Sequence, residues 1–348
     1  MKKLQLYIHV LIITFATLLL SACAADSSYD ATEAEITRAE IKLSIPAVDV
    51  QMNERPSSKS VAYDKQDAQL DAATRVGLFI LQADRYTEAD NLSNPYYGYE
   101  NVQMLHDATG NLSAADASML FYPVLHRDKC AAVLYAPYDA GFTWQKLEQG
   151  YDFTVAYDQR SDENVLASDL IVGMPLENPF RKEDEVVNIV SSHKLTKVQI
   201  DVSLEVTPET ICDSIAVLLT NAPVSASFSL ASLKGETPVT FSGNYGTVIM
   251  AGLPDGIKST DGPRKNFTAT AILAPATDTS LMRFVTKFIG RKSGPDIMVT
   301  ASQPADNTHK FASGMVAHYT MNIDASHVVT AEIIPEEGDD DWIIGGNK

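Results

Sequence analysis

Apolar and polar residues alternate in short runs along most of this chain, and a period of two predicts β-strands. In Glu40-Ile41-Lys42-Leu43-Ser44-Ile45 the aliphatic side chains fall on one face and Glu40, Lys42 and Ser44 on the other. Lys197-Val198-Gln199-Ile200-Asp201-Val202-Ser203-Leu204 repeats the pattern. Further strands are expected at residues 76–81, 131–135, 153–157, 186–190, 215–219, 247–250, 269–274, 297–301, 317–323 and 328–334. Clusters of Gly, Pro, Asn and Asp separate them, as turns require. Helix signals are few: residues 113–119, with Ser113 as a cap, and residues 280–289 predict two short helices, and residues 66–74 read as a polar loop. Many half-buried strands at close spacing predict antiparallel sheets packed as sandwiches.

The N-terminus departs from this pattern. Met1-Lys2-Lys3 is basic, residues 4–20 are almost wholly apolar, and Leu20-Ser21-Ala22-Cys23 places small residues ahead of a cysteine. The apolar run is shorter than the roughly 20 residues of a membrane span. A small-residue cleavage motif followed by a thiol reads as a bacterial lipoprotein signal, with Cys23 the nucleophile that is joined to lipid. Residues 1–22 are therefore the expected signal peptide, and palmitate-type acyl chains on Cys23 would tether the mature chain. Residues 23–38, poor in large apolar side chains, are expected to form a flexible stalk.

Farther on, Met174-Pro175-Leu176-Glu177-Asn178-Pro179 leads into Arg181-Lys182-Glu183-Asp184-Glu185. Proline removes ladder donors and the charge run prefers water, so a domain boundary is expected there, dividing residues 39–180 from residues 181–348. With 348 residues the chain is long enough for two domains, each with its own core.

Charge and cysteine usage narrow the function. The formal net charge is −18, and loss of Lys2 and Lys3 with the signal makes the mature chain more acidic still. Nucleic acid is excluded as a natural partner, because phosphate binding needs a basic footprint. Beyond Cys23 only Cys130 and Cys212 remain, too few for a disulfide scaffold, and both read as small buried hydrophobes. The histidines past the signal, His106, His126, His193, His309, His318 and His327, show no i, i+3 or i+4 pairing, so no metal site is expected. Glu336-Glu337-Gly338-Asp339-Asp340-Asp341 lacks the ligand spacing of an EF-hand loop and reads as a solvated linker. No His-Glu-x-x-His, Gly-x-Ser-x-Gly, phosphate loop or CxxC occurs. No nucleophile, base and orienting group can be nominated together, so neither enzyme activity nor a cofactor is expected.

Several motifs act in concert. Phe121-Tyr122-Pro123, followed by Ala131-Ala132-Val133-Leu134-Tyr135-Ala136-Pro137-Tyr138, resembles the aromatic-Pro turn and "AYxPY" strand end of the fimbrillin family, with fewer aromatics than usual. Ser168-Asp169-Leu170-Ile171 resembles that family's "sDLL", and His193-Lys194-Leu195-Thr196-Lys197-Val198 its "HxLsKv". Ala312-Ser313-Gly314-Met315-Val316-Ala317-His318-Tyr319 is similar to its small-x-Gly segment, and Asp341-Trp342 to its terminal tryptophan. Together with the lipoprotein signal, these motifs cover nearly the whole chain.

The resemblance implies a structural protein of mainly β fold, with two tandem antiparallel β-sandwich domains of transthyretin-like kind, that assembles type V pili on the cell surface and serves adhesion. Its implied partners are other pilus subunits, the outer membrane through the lipid, and a surface protease that removes the first strand. Ile41, Leu43 and Ile45 would belong to the removed strand, with Arg55 or Lys59 as the processing point; Pro56 disfavours cleavage at Arg55. The donor strand would come from the C-terminus: Val328, Ile333 and Ile334 with Trp342, Ile343 and Ile344. The competing reading is a surface glycan-binding lipoprotein of similar architecture, which would use exposed aromatic platforms; Trp144 and Trp342 are the tryptophans available. A metal-dependent surface hydrolase, the third possibility, lacks ligands.

Overall fold

The computed structural model describes residues 39–45, 75–83, 92–95, 98–107, 109–122, 130–175, 180, 186–229, 239–302, 311–324 and 329–332. Cys23, Arg55, Lys59, Val328, Ile333, Ile334, Trp342, Ile343 and Ile344 lie outside them, as does the expected loop at residues 66–74. The described residues are mainly β.

The first half of the chain supplies β1 (Leu43–Ser44), β2 (Val76–Ala83), β3 (Leu92–Pro95), β4 (Val102–His106), β5 (Asn111–Ala114), β6 (Cys130–Ala136), β8 (Ile171–Pro175) and β9 (Val187–His193) to one sheet. Its order is β3-β2-β4-β5-β1-β9-β8-β6, and β6 also pairs with β2, so seven of the strands close into a ring with β3 appended to β2. A sandwich of open sheets was the expectation here; the additional β2–β6 ladder joins the two ends instead.

Directly opposed residues on neighbouring strands share a face, so the interior can be traced around the ring. Leu43 opposes Leu112 on one side and Val187 on the other. Leu112 opposes His106, and Met104 opposes both Ala114 and Val76. Leu78 opposes Leu134, Leu134 opposes Gly173, and Gly173 opposes Ser191, which shares a face of β9 with Val187. The register therefore closes on itself. Small residues relieve crowding inside, and a Cβ on Gly173 would lie 2.7 Å from Ile189 Cγ2. The alternate residues Phe79, Leu81, Ala131, Val133, Tyr135 and Val172 face outward and join the core of the second half.

That half is built from β10 (Thr196–Glu205), β11 (Cys212–Pro223), β14 (Tyr245–Ile249), β15 (Arg264–Leu273), β16 (Arg283–Arg291), β17 (Ile297–Ser302), β18 (Val316–Ile323) and β19 (Val329–Glu332). They form two four-stranded sheets, ordered β15-β10-β18-β19 and β14-β11-β16-β17. The two face each other across buried side chains, with the Phe284 and Tyr319 rings 5.0 Å apart. A three-stranded sheet of β12 (Ser225–Phe228), β13 (Thr240–Phe241) and β7 (Tyr151–Thr154) joins the halves, and Phe142 and Tyr151 pack on Phe228.

Two local expectations are corrected. Residues 283–289 belong to strand β16, after a turn at residues 280–281, and not to a helix: Met282, Phe284, Thr286 and Phe288 are buried in alternation, a period of two. Residues 113–119 begin as β5 and continue as turn. The helices lie elsewhere, at α1 (Trp144–Gln149), capped by Thr143, and α2 (Asp162–Ser168), capped by Ser161. Nor are all neighbours antiparallel. β1 runs parallel to β9 and β10 to β18, pairs whose members are far apart in sequence and free of any hairpin constraint.

The "AYxPY" strand end has a structural role. The Tyr135 hydroxyl lies 2.7 Å from Asn101 Oδ1 and 3.0 Å from the Asp139 carbonyl oxygen, and its ring lies across Gly77 of β2. A Cβ on Gly77 would overlap that ring. Gly77→Ala is expected to cost about 1–3 kcal/mol by overpacking, read as a lower urea midpoint; an unchanged midpoint would show that the ring relaxes freely.

Candidate functional site

The strand that closes the ring is its shortest and rests on neighbours from distant parts of the chain. Ile41, Leu43 and Ile45 are only 4%, 2% and 8% exposed, while Glu40 and Lys42 face solvent. Burial of each aliphatic side chain contributes about 1.5–3 kcal/mol. On one side Ile41 N–H donates to the Leu120 carbonyl and Ile45 N–H to the Gly110 carbonyl, each at 2.8 Å; on the other Val187 N–H donates to the Lys42 carbonyl at 2.9 Å. Lifting β1 out would open a slot with unpaired backbone groups on β5 and β9 and an apolar floor between them, the arrangement that captures an added strand.

The aromatic-Pro motif forms one end of this slot. Phe121 bridges Glu40, its N–H donates to the Tyr99 hydroxyl at 3.0 Å, and Tyr122 is buried against Phe180 with ring centroids 5.9 Å apart. The remaining motifs meet elsewhere. Asp169, at the end of α2, and His193, at the end of β9, are both almost fully buried, and His193 Nδ1 lies 2.9 Å from the Asp169 carboxylate. His193-Lys194-Leu195-Thr196-Lys197 then zips onto Ala312-Ser313-Gly314-Met315. Gly314 N–H donates to the Leu195 carbonyl (2.8 Å), Ser313 Oγ to the Lys194 carbonyl (2.9 Å), Thr196 Oγ1 to the Ala312 carbonyl (2.8 Å) and Lys197 N–H to the Met315 carbonyl (2.9 Å). These contacts start the parallel β10–β18 pair. Motifs apart in sequence are thus joined in space, but as the frame of the fold and not as a catalytic constellation.

Sequence reasoning found the buried face of β1 but missed the walls of its slot. Gly110, Leu112, Val187 and Ile189 lie there; the signal for the first two was Asp107 with Gly110-Asn111, a hairpin turn. Trp144, the described tryptophan, is 6% exposed and packs near Phe79, so it offers no platform to a sugar. Among the described residues no three His, Cys, Asp or Glu side chains gather as metal ligands would. The Cys130 and Cys212 thiols are buried, and burial pushes the Cys212 thiol above its ordinary range. At the C-terminus, Val329–Glu332 is paired antiparallel with β18 of the same chain, Ala331 opposite Met321.

Comparison with known proteins places this architecture. No curated protein matches the sequence. Among solved structures, a candidate cell adhesion protein from Bacteroides uniformis aligns at 18% identity with a TM-score of 0.54, over 85% of this chain and 98% of its own. Another from Bacteroides ovatus aligns at 15% identity and a TM-score of 0.56, over 85% of this chain and 96% of its own. At such identities these likenesses speak for the fold alone. The sequence profile of the fimbrillin-like family matches residues 62–335, most of the chain, and the protein belongs to that family.

Proposed function

We propose that this chain is a structural, non-enzymatic subunit of a cell-surface pilus that serves adhesion and is assembled by strand exchange. It is exported as a lipoprotein, cleaved ahead of Cys23 and held to the outer membrane by the lipid. A surface protease then cuts at Arg55 or Lys59, β1 leaves, and the C-terminal segment of a neighbouring subunit, with Val328, Ile333, Ile334, Trp342, Ile343 and Ile344, fills the slot. In this reading the chain acts as tandem transthyretin-like units divided near residues 180–181, the first completed by β9 from just beyond that division and sealed by its own β1 until processing.

The observation that carries the reading is the closure of the ring by β1, a strand of two residues with Ile41, Leu43 and Ile45 buried along it. A short strand is a weak closure by itself, while the slot it fills has two open ladders to offer. N-terminal sequencing tests this directly: protein in sheared surface filaments should begin after Arg55 or Lys59, whereas membrane-bound precursor should be blocked at Cys23. Filament protein that retains residues 39–45 would overturn removal of β1. A subunit that anchors the filament would instead keep both lipid and β1 and stay with the membrane.

Lipidation has its own test. Cys23→Ala should abolish incorporation of a labelled fatty acid and leave full-length precursor, because no other cysteine follows a signal. Label retained by the variant would place the lipid elsewhere.

A further inference from the structure

We propose that Gly110 sets the register of whichever strand occupies the slot, by receiving one of its peptide groups against a bare Cα. The consequence for assembly rests on the exchange reading above; the geometry is that of the intact chain. Gly110 accepts the Ile45 N–H at 2.8 Å, and a Cβ on it would overlap the Ile45 carbonyl oxygen, with the carbonyl carbon 3.1 Å away. Its φ is +85°, in the region that favours glycine. Gly98 and Gly262 have similar φ values of +79° and +82° but nothing within 4 Å of a Cβ, so there the backbone conformation alone asks for glycine. Gly110 needs both its φ and its empty side.

The turn that carries Gly110 is pinned. Asp107 Oδ1 accepts from Thr109 N–H (2.8 Å), Thr109 Oγ1 (2.6 Å) and Asn111 N–H (3.0 Å), Oδ2 accepts from Asn111 Nδ2 (3.2 Å), and Gly110 N–H donates to the Asp107 carbonyl (3.0 Å). These bonds, the Thr109 hydroxyl first, hold the Asp107 carboxyl down at about 2. An occupant must therefore adjust to the turn.

Its chemistry follows. It needs aliphatic side chains at the three sites of Ile41, Leu43 and Ile45, and an N–H at the first and last, which excludes proline from both. In the C-terminal sequence, Val329-Thr330-Ala331-Glu332-Ile333 meets this pattern with Val329, Ala331 and Ile333 on those sites. A shift by one residue would bring Glu332 to the Leu43 site, a buried carboxylate without a partner.

NMR-detected hydrogen exchange on the full chain tests the role of Gly110. Asparagine tolerates positive φ but carries a Cβ. Gly110→Ala and Gly110→Asn should both speed exchange of the Ile45 amide at least tenfold while the β10 and β11 amides stay protected. Wild-type protection in Gly110→Asn would show that only the backbone conformation matters and would overturn the proposal. A second arm leaves Gly110 untouched: the chain nicked between Ile45 and Arg75 is challenged with a synthetic peptide of residues 39–46, unmodified or N-methylated at Ile45. The unmodified peptide should displace β1, and the methylated one should be at least tenfold less potent. Equal potency would overturn the register role. Displacement by neither peptide would overturn exchange itself, and the exchange rates then decide the role of Gly110 in the intact chain.

Discussion

His193→Leu is expected to lower the stability of the folded chain by about 3–5 kcal/mol, the range found when one partner of a buried pair is removed and the other stays. His193 and Asp169 are 3% and 2% exposed, so the carboxylate left behind is not rescued by water. The effect should far exceed that of an exposed pair. Arg160 and Asp158, 2.6 Å apart with side chains 56% and 36% exposed, should give no more than about 1 kcal/mol on Arg160→Ala. Combining His193→Leu with Asp169→Leu removes both polar groups and should recover most of the loss, because an apolar pair of similar volume is often as stable as the pair it replaces. Urea unfolding of the wild type, both single variants and the double variant closes the cycle. Additive losses would show that the two residues act independently and that no clasp joins α2 to the end of β9.

Deleting residues 339–348 is expected to abolish filament growth while leaving a folded monomer. Val329–Glu332 is already laid against β18 in this chain, so moving it into a neighbour's slot breaks one ladder to form another, with little net change in backbone hydrogen bonding. The gain from exchange has to come from apolar side chains. Trp342-Ile343-Ile344 is the largest apolar cluster after Pro335 and is preceded by the acidic run from Glu336 to Asp341. Its burial is favoured by about 25 cal/mol per Å². Full-length and truncated chains, nicked with a low dose of trypsin and compared by size exclusion and electron microscopy, separate the possible sites. Filaments from the truncated chain would place the donor elsewhere, and a marked fall in monomer stability would place the cluster within its own domain.

The strands were largely legible because a period of two is local. Thr196–Glu205 and Val316–Ile323 each alternate apolar and polar residues, and each is buried in alternation. The reading failed where local signals competed. Residues 280–289 were expected to form a short helix, but Ser280 N–H donates to the Asp278 carboxylate at 2.9 Å, within the turn before β16. The helix Asp162–Ser168 was missed because it is two turns long and offers too short an apolar stripe to recognise.

The candidate site divides in the same way. Alternation in Ile41-Lys42-Leu43-Ser44-Ile45 was enough to assign its buried face, because side chains on a strand point alternately to either side. Nothing in those residues names their neighbours. That β1 lies between β5, antiparallel, and β9, parallel, was decided by the closure of the ring, a property of all seven strands at once. The need for an empty side at Gly110, added to its positive φ, likewise comes from a carbonyl belonging to a residue far away in sequence, and Asp169 and His193 became partners only when β8 was laid beside β9. Sequence by itself therefore determined which residues form strands and which side of each is apolar, since both depend on neighbours along the chain. Tertiary structure alone decided which strands touch, where the ring is closed by its shortest member, and which polar side chains are buried together, because pairing and desolvation depend on contacts that the chain makes only after it has folded.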